Sequence, residues 1–326
     1  MAMPPVASLS HRSTSPPMQA LLNAIATAHA PTTAERIFHG RGGRFPGCEH
    51  LSLDVYAPVW VLTSFQPLAD EALAQVDAAL QARCAALGLG DSAAWVYQCR
   101  ATGATETRLV RGAVPEPHVV HEDACAYLVH VLRGQNHGLF LDMAEGRRWV
   151  RNYVQQLPNP ARSKVLNLFA YSCAFSVVAL HAGASSVVNI DMSKGALSTG
   201  QHNHRLNQLS GAHFWPHDIF SSWGKISRNG PYELIIVDPP SYQKGSFIAT
   251  KDYARLIKRL PDLLAPGGHA LLCLNAPELP LSFLQEQVQE CAPELIFVEQ
   301  VANPAVFADV SPDKALKVLA YRLPDL

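Results

Sequence analysis

Between residues 164 and 274, short apolar runs alternate with longer stretches whose apolar positions recur every three or four residues. The short runs are KVLNLFA, SVVNID, AHFWPHD, YELIIVD and HALLCLN; the longer stretches are FSVVALHAGA, SKGALSTGQHNHRLNQL and YARLIKRLPDLLAPGG. A brief apolar run bounded by turn formers suits a strand buried on both faces, and the longer period suits a helix with one apolar side. Strand–helix alternation of this kind predicts a parallel sheet with helices on both faces. ELIFVEQV and ALKVLAYRL then predict a terminal antiparallel pair, giving an α/β fold with seven strands.

Upstream the pattern changes. MQALLNAIATAHA has helical spacing, and TTAERIFHGRGGRFPGCEH breaks into glycines and basic residues. LSLDVYA, VWVLTSF, AAWVYQCRA and HGLFLD predict short strands around one amphipathic helix, LADEALAQVDAALQARCAALG. That is an α+β module. AEGRRWVRNYVQQL predicts a further helix, and PNPARSK a linker into the alternating region. The division expected is a disordered tail over 1–17, rich in Pro and Ser, a smaller α+β module over 18–140 and the α/β domain over 141–326.

Composition narrows the class. Hydrophobic residues make up 48% and charged residues 16% of the 326, which indicates a globular chain with a substantial core. Lys and Arg number 26 against 27 Asp and Glu, so any polyanionic partner needs a local basic face. The seven cysteines never form a CxxC pair, which argues against a zinc site or a disulfide framework; no metal is expected. The N-terminus lacks a signal-peptide h-region and no apolar run is long enough to span a bilayer, so a soluble cytoplasmic protein is expected, with no membrane partner.

In an open doubly wound sheet, ligands bind outside the carboxyl ends of the strands near the switch in strand order. The first strand there ends in Phe169-Ala170-Tyr171-Ser172-Cys173-Ala174-Phe175, the second in Asp191, the third in Asp218 and the fourth in Asp238. An aspartate after a strand often only caps a helix or forms a turn. Three along one edge describe a nucleoside site, with ribose at Asp191 and adenine near Asp218. The G-x-G-x-x-G loop that brings pyrophosphate against bare backbone is missing. A ligand with ribose and adenine but no phosphate fits, and S-adenosylmethionine is such a ligand.

VLNLFAYSCAFSVVALHAGASSVVNIDMSKGALSTGQHNHRLN and DPPSYQKG resemble class I S-adenosylmethionine-dependent methyltransferases, whose sheet is Rossmann-like. Within these they are similar to bacterial large-subunit ribosomal RNA methyltransferases that make 5-methylcytosine or 7-methylguanine. The resemblance covers about residues 115–322 and includes the leader GLFLDMAEGRR. It implies that Asn167, Phe169 and Tyr171 line the methionine end of the cofactor. Asp191 would hold the ribose, Met192 and Ser193 would flank the adenine, and Asp218 would accept from its amino group. Asp238 would face the reactive methyl, Asn203 would lie near the cofactor, and Asp142 and Arg147 would close over it. The chain departs from the family at Ser172-Cys173-Ala174, where relatives carry Thr-Gly-Gly or Thr-Gly-Ser, and at Ala144, where they often carry arginine.

Methyl transfer is an in-line displacement, so catalysis is mainly positioning and control of charge. Asp238, Pro239, Pro240 and Tyr242 are the catalytic candidates. The prolines stiffen a loop whose carbonyls can accept from a base's amino hydrogens, and Tyr242 offers a ring for a flipped base. Methylating cytosine carbon 5 normally needs a cysteine adduct at carbon 6. Where relatives carry that cysteine this chain has Pro240 or Asn275, while Cys273 sits deeper and Cys173 reads as packing. A base nitrogen is therefore the expected acceptor. RIFHGRGGRFPG offers Arg36, Arg41 and Arg44 beside flexible glycines as a phosphate-contacting loop, with Tyr242 and Asn275 as the other substrate contacts. HNH at 202–204 reads as helix surface. The expected partner is ribosomal RNA as substrate; the alternatives are a protein or small-molecule acceptor, and a degenerate fold that binds RNA without turnover.

Overall fold

A computed structural model describes residues 18–90, 94–101, 105–240, 242–243 and 247–325, the side chains of 242 and 243 excepted. The expected tail over 1–17 lies outside them. Helix α1 (Gln19–Thr27) precedes β1 (Ala34–His39), β2 (Leu51–Tyr56) and β3 (Val59–Ser64); α2 (Asp70–Ala86) leads on to β4 (Ala94–Cys99) and β5 (Glu106–Arg111). These five strands lie side by side in chain order, β3 and β4 parallel and the other neighbours antiparallel. Strand alternation gives the sheet two unlike faces. Leu51, Leu53, Trp60, Leu62, Trp95 and Tyr97 pack against Leu21 and Ile25 of α1 and Leu73, Val76 and Leu80 of α2. On the opposite face Tyr56, Val59 and Ala94 form an apolar end that meets Tyr127, Val129, Leu139 and Val177. Ser52, Thr63 and Gln98 form a buried polar end, with Asp54 next to it.

A hairpin, β6 (Val119–Glu122) and β7 (Cys125–Leu128), and helix α3 (Ala144–Gln156) connect to the second sheet. There β8 (Lys164–Leu168), α4 (Ala174–His181), β9 (Ser186–Ile190), α5 (Lys194–Leu206), β10 (Ala212–Trp215), α6 (Trp223–Asn229) and β11 (Tyr232–Val237) follow in order. After the two-residue strands β12 (Tyr242–Gln243) and β13 (Phe247–Ile248) come α7 (Ala249–Ile257), α8 (Leu260–Leu263), β14 (Leu264–Leu274), α9 (Leu281–Cys291), β15 (Ile296–Gln300) and β16 (Lys317–Arg322). The seven-stranded order is β10-β9-β8-β11-β14-β16-β15, parallel from β10 to β14, with β16 antiparallel to both its neighbours. This is the expected α/β sheet with its antiparallel terminal pair. Its two faces are both apolar: Leu166, Ile190 and Ile235 pack with Tyr253 and Leu256 on one side. Val165, Val187 and Ile236 pack with Val150 and Val154 on the other. The chain turns outward from β8 to β9 and β10, then crosses to β11, so the switch point lies between β8 and β11.

Four local expectations are corrected. HGLFLD is no strand: Gly138 (φ +106°) runs against the backbone of Leu128, and Leu141–Met143 is a 3₁₀ turn leading into α3. AERIFH, expected as part of a break, pairs with β2 as β1. YARLIKRLPDLLAPGG is divided near Pro261, which lacks an amide hydrogen, and its end already belongs to β14. Asn203 and His204 are buried rather than on the surface, because α5 turns that side towards β7 and α4.

Candidate active site

A cavity of about 750 Å³ opens at the carboxyl ends of β8, β9 and β11. Its floor is the turn between β8 and α4. Phe169, Tyr171 and Cys173 all take left-handed backbone, with φ of 57°, 46° and 60°, a conformation usually left to glycine. Surrounding bonds hold it there. The Ala170 amide donates to Ile190 O at 3.0 Å and the Tyr171 amide to Asp191 Oδ2 at 2.8 Å. Ser172 Oγ donates to Gly138 O at 2.6 Å, and Asn203 Nδ2 to Ser172 O at 3.0 Å. Space for the Cys173 side chain comes from Gly200 on α5, where an added Cβ would stand 2.4 Å from Cys173 Sγ.

Asp191 uses one oxygen for the Tyr171 amide and the other for the Ser193 amide, each at 2.8 Å. A carboxylate has about four acceptor positions, so two remain for a ligand. Met192 and Ser193 lie beside it on the cavity wall, both exposed, and Ser193 Oγ caps α5 through the Ala196 amide. Asp218 also lines the wall while accepting from the Phe220 and Ser221 amides at 3.3 and 3.0 Å. It is a turn former and a wall residue at once.

Asp238, Pro239 and Pro240 follow β11 into the cavity, and Asn275 follows β14. Asp238 is half-buried. Burial, and then the Asp142 carboxylate, push its acid up to about 7, against the pull of Arg147. Burial likewise raises Asp142, opposed by Arg36 and Arg147. Arg147 is itself buried and gives Nε and Nη2 to Glu122, both at 2.6 Å, and Nη2 to Phe140 O at 2.9 Å. Among the described lining residues Arg147 is the one arginine or lysine, and Glu122 offsets its charge; Asp142, Asp191, Asp218 and Asp238 face the same space. The cavity therefore favours a cation and disfavours a pyrophosphate.

The structure thus brings together Asp142, Arg147, Phe169, Tyr171, Asp191, Met192, Ser193, Asp218, Asp238, Pro239, Pro240 and Asn275. It does not bring Asn167 or Asn203 to the wall. Asn167 Nδ2 donates to Asn189 Oδ1 at 2.9 Å inside the sheet, and Asn203 joins the Leu128 amide to Ser172 O. Both amides are consumed by the scaffold. Arg36 is no loop cation either: it lies on β1 in a two-bond pair with Asp54, at 2.7 and 3.0 Å. Arg41 and Arg44 are exposed and outside the cavity lining. The side chain of Tyr242 falls outside the described residues. Gln135, Asn136, Phe140, His217 and Phe220 line the wall without having been expected; only Phe140, His217 and Phe220, each within two residues of a candidate aspartate, carried a local signal. None of the seven cysteines, all described, lines the cavity. Among the described residues no cluster of three or more metal-ligating side chains occurs, and no helix is long and apolar enough to cross a membrane.

Residues 35–322 match the family described as S-adenosylmethionine-dependent methyltransferase. The chain is 32% identical over 193 residues to ribosomal RNA large subunit methyltransferase I of Aeromonas salmonicida, covering 57% of this chain and 47% of that protein. With the Pseudoalteromonas atlantica protein of the same name it shares 27% over 266 residues, 80% of this chain and 65% of that one. The chain thus spans about half the length of the first of these relatives, and less than two thirds of the other. Among solved structures, a putative SAM-dependent methyltransferase from Streptococcus mutans superposes with a TM-score of 0.78 at 22% identity, over 95% of this chain and 83% of that one. A putative methyltransferase complexed with SAH superposes at 0.77 and 22%, over the same shares. These two likenesses show the fold.

Proposed function

The chain belongs to the S-adenosylmethionine-dependent methyltransferase family, and from that premise we propose that it methylates a base nitrogen of ribosomal RNA in the cytoplasm. The cavity suits the cofactor: the glycine-free turn leaves no cradle for pyrophosphate, and four carboxylates face a space suited to a cation. When bound, S-adenosylmethionine supplies an electrophilic methyl group on a positively charged sulfur. In this reading Asp191 accepts from the ribose hydroxyls with its two remaining lone-pair positions. Met192 and Ser193 flank the adenine, Asp218 accepts from its amino group, and Phe169 and Tyr171 border the methionine end. Asp142 faces the cation, and Arg147, locked to Glu122, fixes the segment that carries Asp142.

The observation that carries the choice of acceptor is a half-buried carboxylate, Asp238, beside two prolines in a cavity that no thiol lines. Carbon methylation of cytosine would need a thiolate there. Cys273 is fully buried in β14, and burial, followed by the field of Asp238, pushes its thiol well up. Cys173 is buried as well and likewise raised. A nitrogen acceptor needs no adduct. Asp238 accepts a hydrogen bond from the base N–H, orients the nitrogen lone pair, and takes the proton that the nitrogen sheds after transfer. The names of the relatives support RNA as the substrate, and the seven free cysteines support a reducing compartment.

The test is transfer of labelled methyl to ribosomal RNA from a strain lacking this gene, followed by nucleoside mass spectrometry. One N-methylated nucleoside is expected. Label in 5-methylcytosine, or in protein but not RNA, would overturn the reading.

A further inference from the structure

We propose that Arg41 and Arg100, gathered on the ring of Phe65 beside the cavity, seat phosphates of the RNA strand next to the target nucleotide. The inference rests on RNA being the acceptor. Arg41 places its guanidinium carbon 4.1 Å from the Phe65 ring centre, and Arg100 places its own at 6.0 Å from the same centre. The ring holds the face of the Arg41 guanidinium and leaves its N–H edge available, the edge that matches phosphate oxygens, while Arg100 uses Nε and Nη2 for neutral oxygens and keeps Nη1.

The site is built rather than loose. Arg41 lies in a 3₁₀ turn, Gly40–Gly42, whose glycines are packed. An added Cβ would stand 1.8 Å from Cys48 O at Gly40 and 2.4 Å from Ala308 O at Gly42. The Val310 amide donates to Gly42 O at 2.8 Å, which ties the turn to the C-terminal segment. The glycines expected to lend flexibility instead admit close backbone contact, and so present Arg41 from a fixed base.

Charge points to an anion. Among the described residues Arg41 makes no hydrogen bond or ion pair, and Arg100 donates only to neutral oxygens, Gln98 Oε1 and Gln135 O. Arg36, nearby, already has its carboxylate in Asp54. Burial and the Arg36 charge both lower the Arg41 pKa. Cations gathered without a carboxylate of their own are relieved by an incoming anion. Position then selects the anion: Gln135, whose carbonyl takes Arg100, lines the cavity that receives the base. Phosphates flanking a base held in that cavity reach such a ledge, and phosphate contacts are what fix register on a strand.

The test is fluorescence anisotropy of a labelled ribosomal RNA fragment with wild type, Arg41→Ala, Arg41→Lys and the Arg41→Ala/Arg100→Ala double variant across a salt series. The double variant should bind at least about tenfold more weakly, and its slope of log affinity against log salt should fall by about 1–2. Arg41→Lys, which keeps the charge, should keep most of the slope. Calorimetric affinity for S-adenosylmethionine should not move, which also reports an intact fold. Wild-type affinity and slope in the double variant, with RNA methylation intact, would overturn the seat and leave the RNA reading standing. Methylation of a protein and not of RNA by the wild type would overturn both.

Discussion

Asp238 is a carboxyl whose surroundings resist its charge, and that has two opposite consequences for pH. The group accepts from a base only when ionised, so methyl transfer should rise with pH through about 7, the value to which burial and Asp142 push it. Asp238→Asn should lose that limb and about 100-fold in single-turnover rate, while cofactor affinity changes far less. Stability runs the other way. A folded-state pKa raised above the unfolded one gives stability that is whole below about 4 and lost as pH climbs to about 7. Asp238→Asn should therefore melt higher than wild type at pH 8, with the gap closing towards pH 4; a constant gap would show that Asp238 is not perturbed. Asp191 accepts from two backbone amides and faces the cavity with its remaining lone pairs. Asp191→Ala should cost about 2–4 kcal/mol in cofactor binding by calorimetry, and unchanged binding would remove it from the ribose. Both aspartates were legible because each ends a strand on the one edge where ligands gather. Asn167, Asn203 and Arg36 misled because their local sequence does not show which neighbour takes their hydrogen bonds. Glu122, which pins Arg147, was invisible until the chain had folded a hairpin against α3.

Elements show the same division between local and distant causes. The β8–α4 turn carries no glycine, yet its geometry asks for one at Cys173, and the missing space is supplied by Gly200 on the adjoining helix. Gly200→Ala should destabilise by about 1–3 kcal/mol despite alanine's better helix propensity, because Cys173 Sγ occupies the site. In a Cys173→Gly background the same change should become neutral or stabilising by up to about 1 kcal/mol, since the left-handed turn then holds the glycine and α5 the alanine. Equal costs in both backgrounds, read from denaturant midpoints, would refute the exchange. The strands and helices of the second sheet were readable from period alone because both sheet faces are apolar. β5 was not readable: its residues are mostly exposed, so no apolar alternation marks it. The hairpin was hidden too, because side chains of α5 and of the residue that follows it, Asn207, bond its backbone. Asn203 takes the Leu128 amide and Asn207 both bonds of Ala126.

At the scale of the molecule, near-neutral charge concealed a local excess: 26 basic and 27 acidic residues cancel in sum while Arg36, Arg41 and Arg100 gather on one side of the cavity and aspartates line its interior. The polar end of the five-stranded sheet, with Asp54 beside it, adjoins that boundary, so the smaller sheet contributes to the setting of the site. Strand order carries one more consequence, for synthesis. β16 lies between β14 and β15 and bonds to each, so no earlier strand joins those two. A nascent chain halted before Lys317 already holds Asp142, Asp191, Asp218 and Asp238 but has a gap within its sheet. Until Lys317–Arg322 has been made, β14 offers its open side to any passing strand.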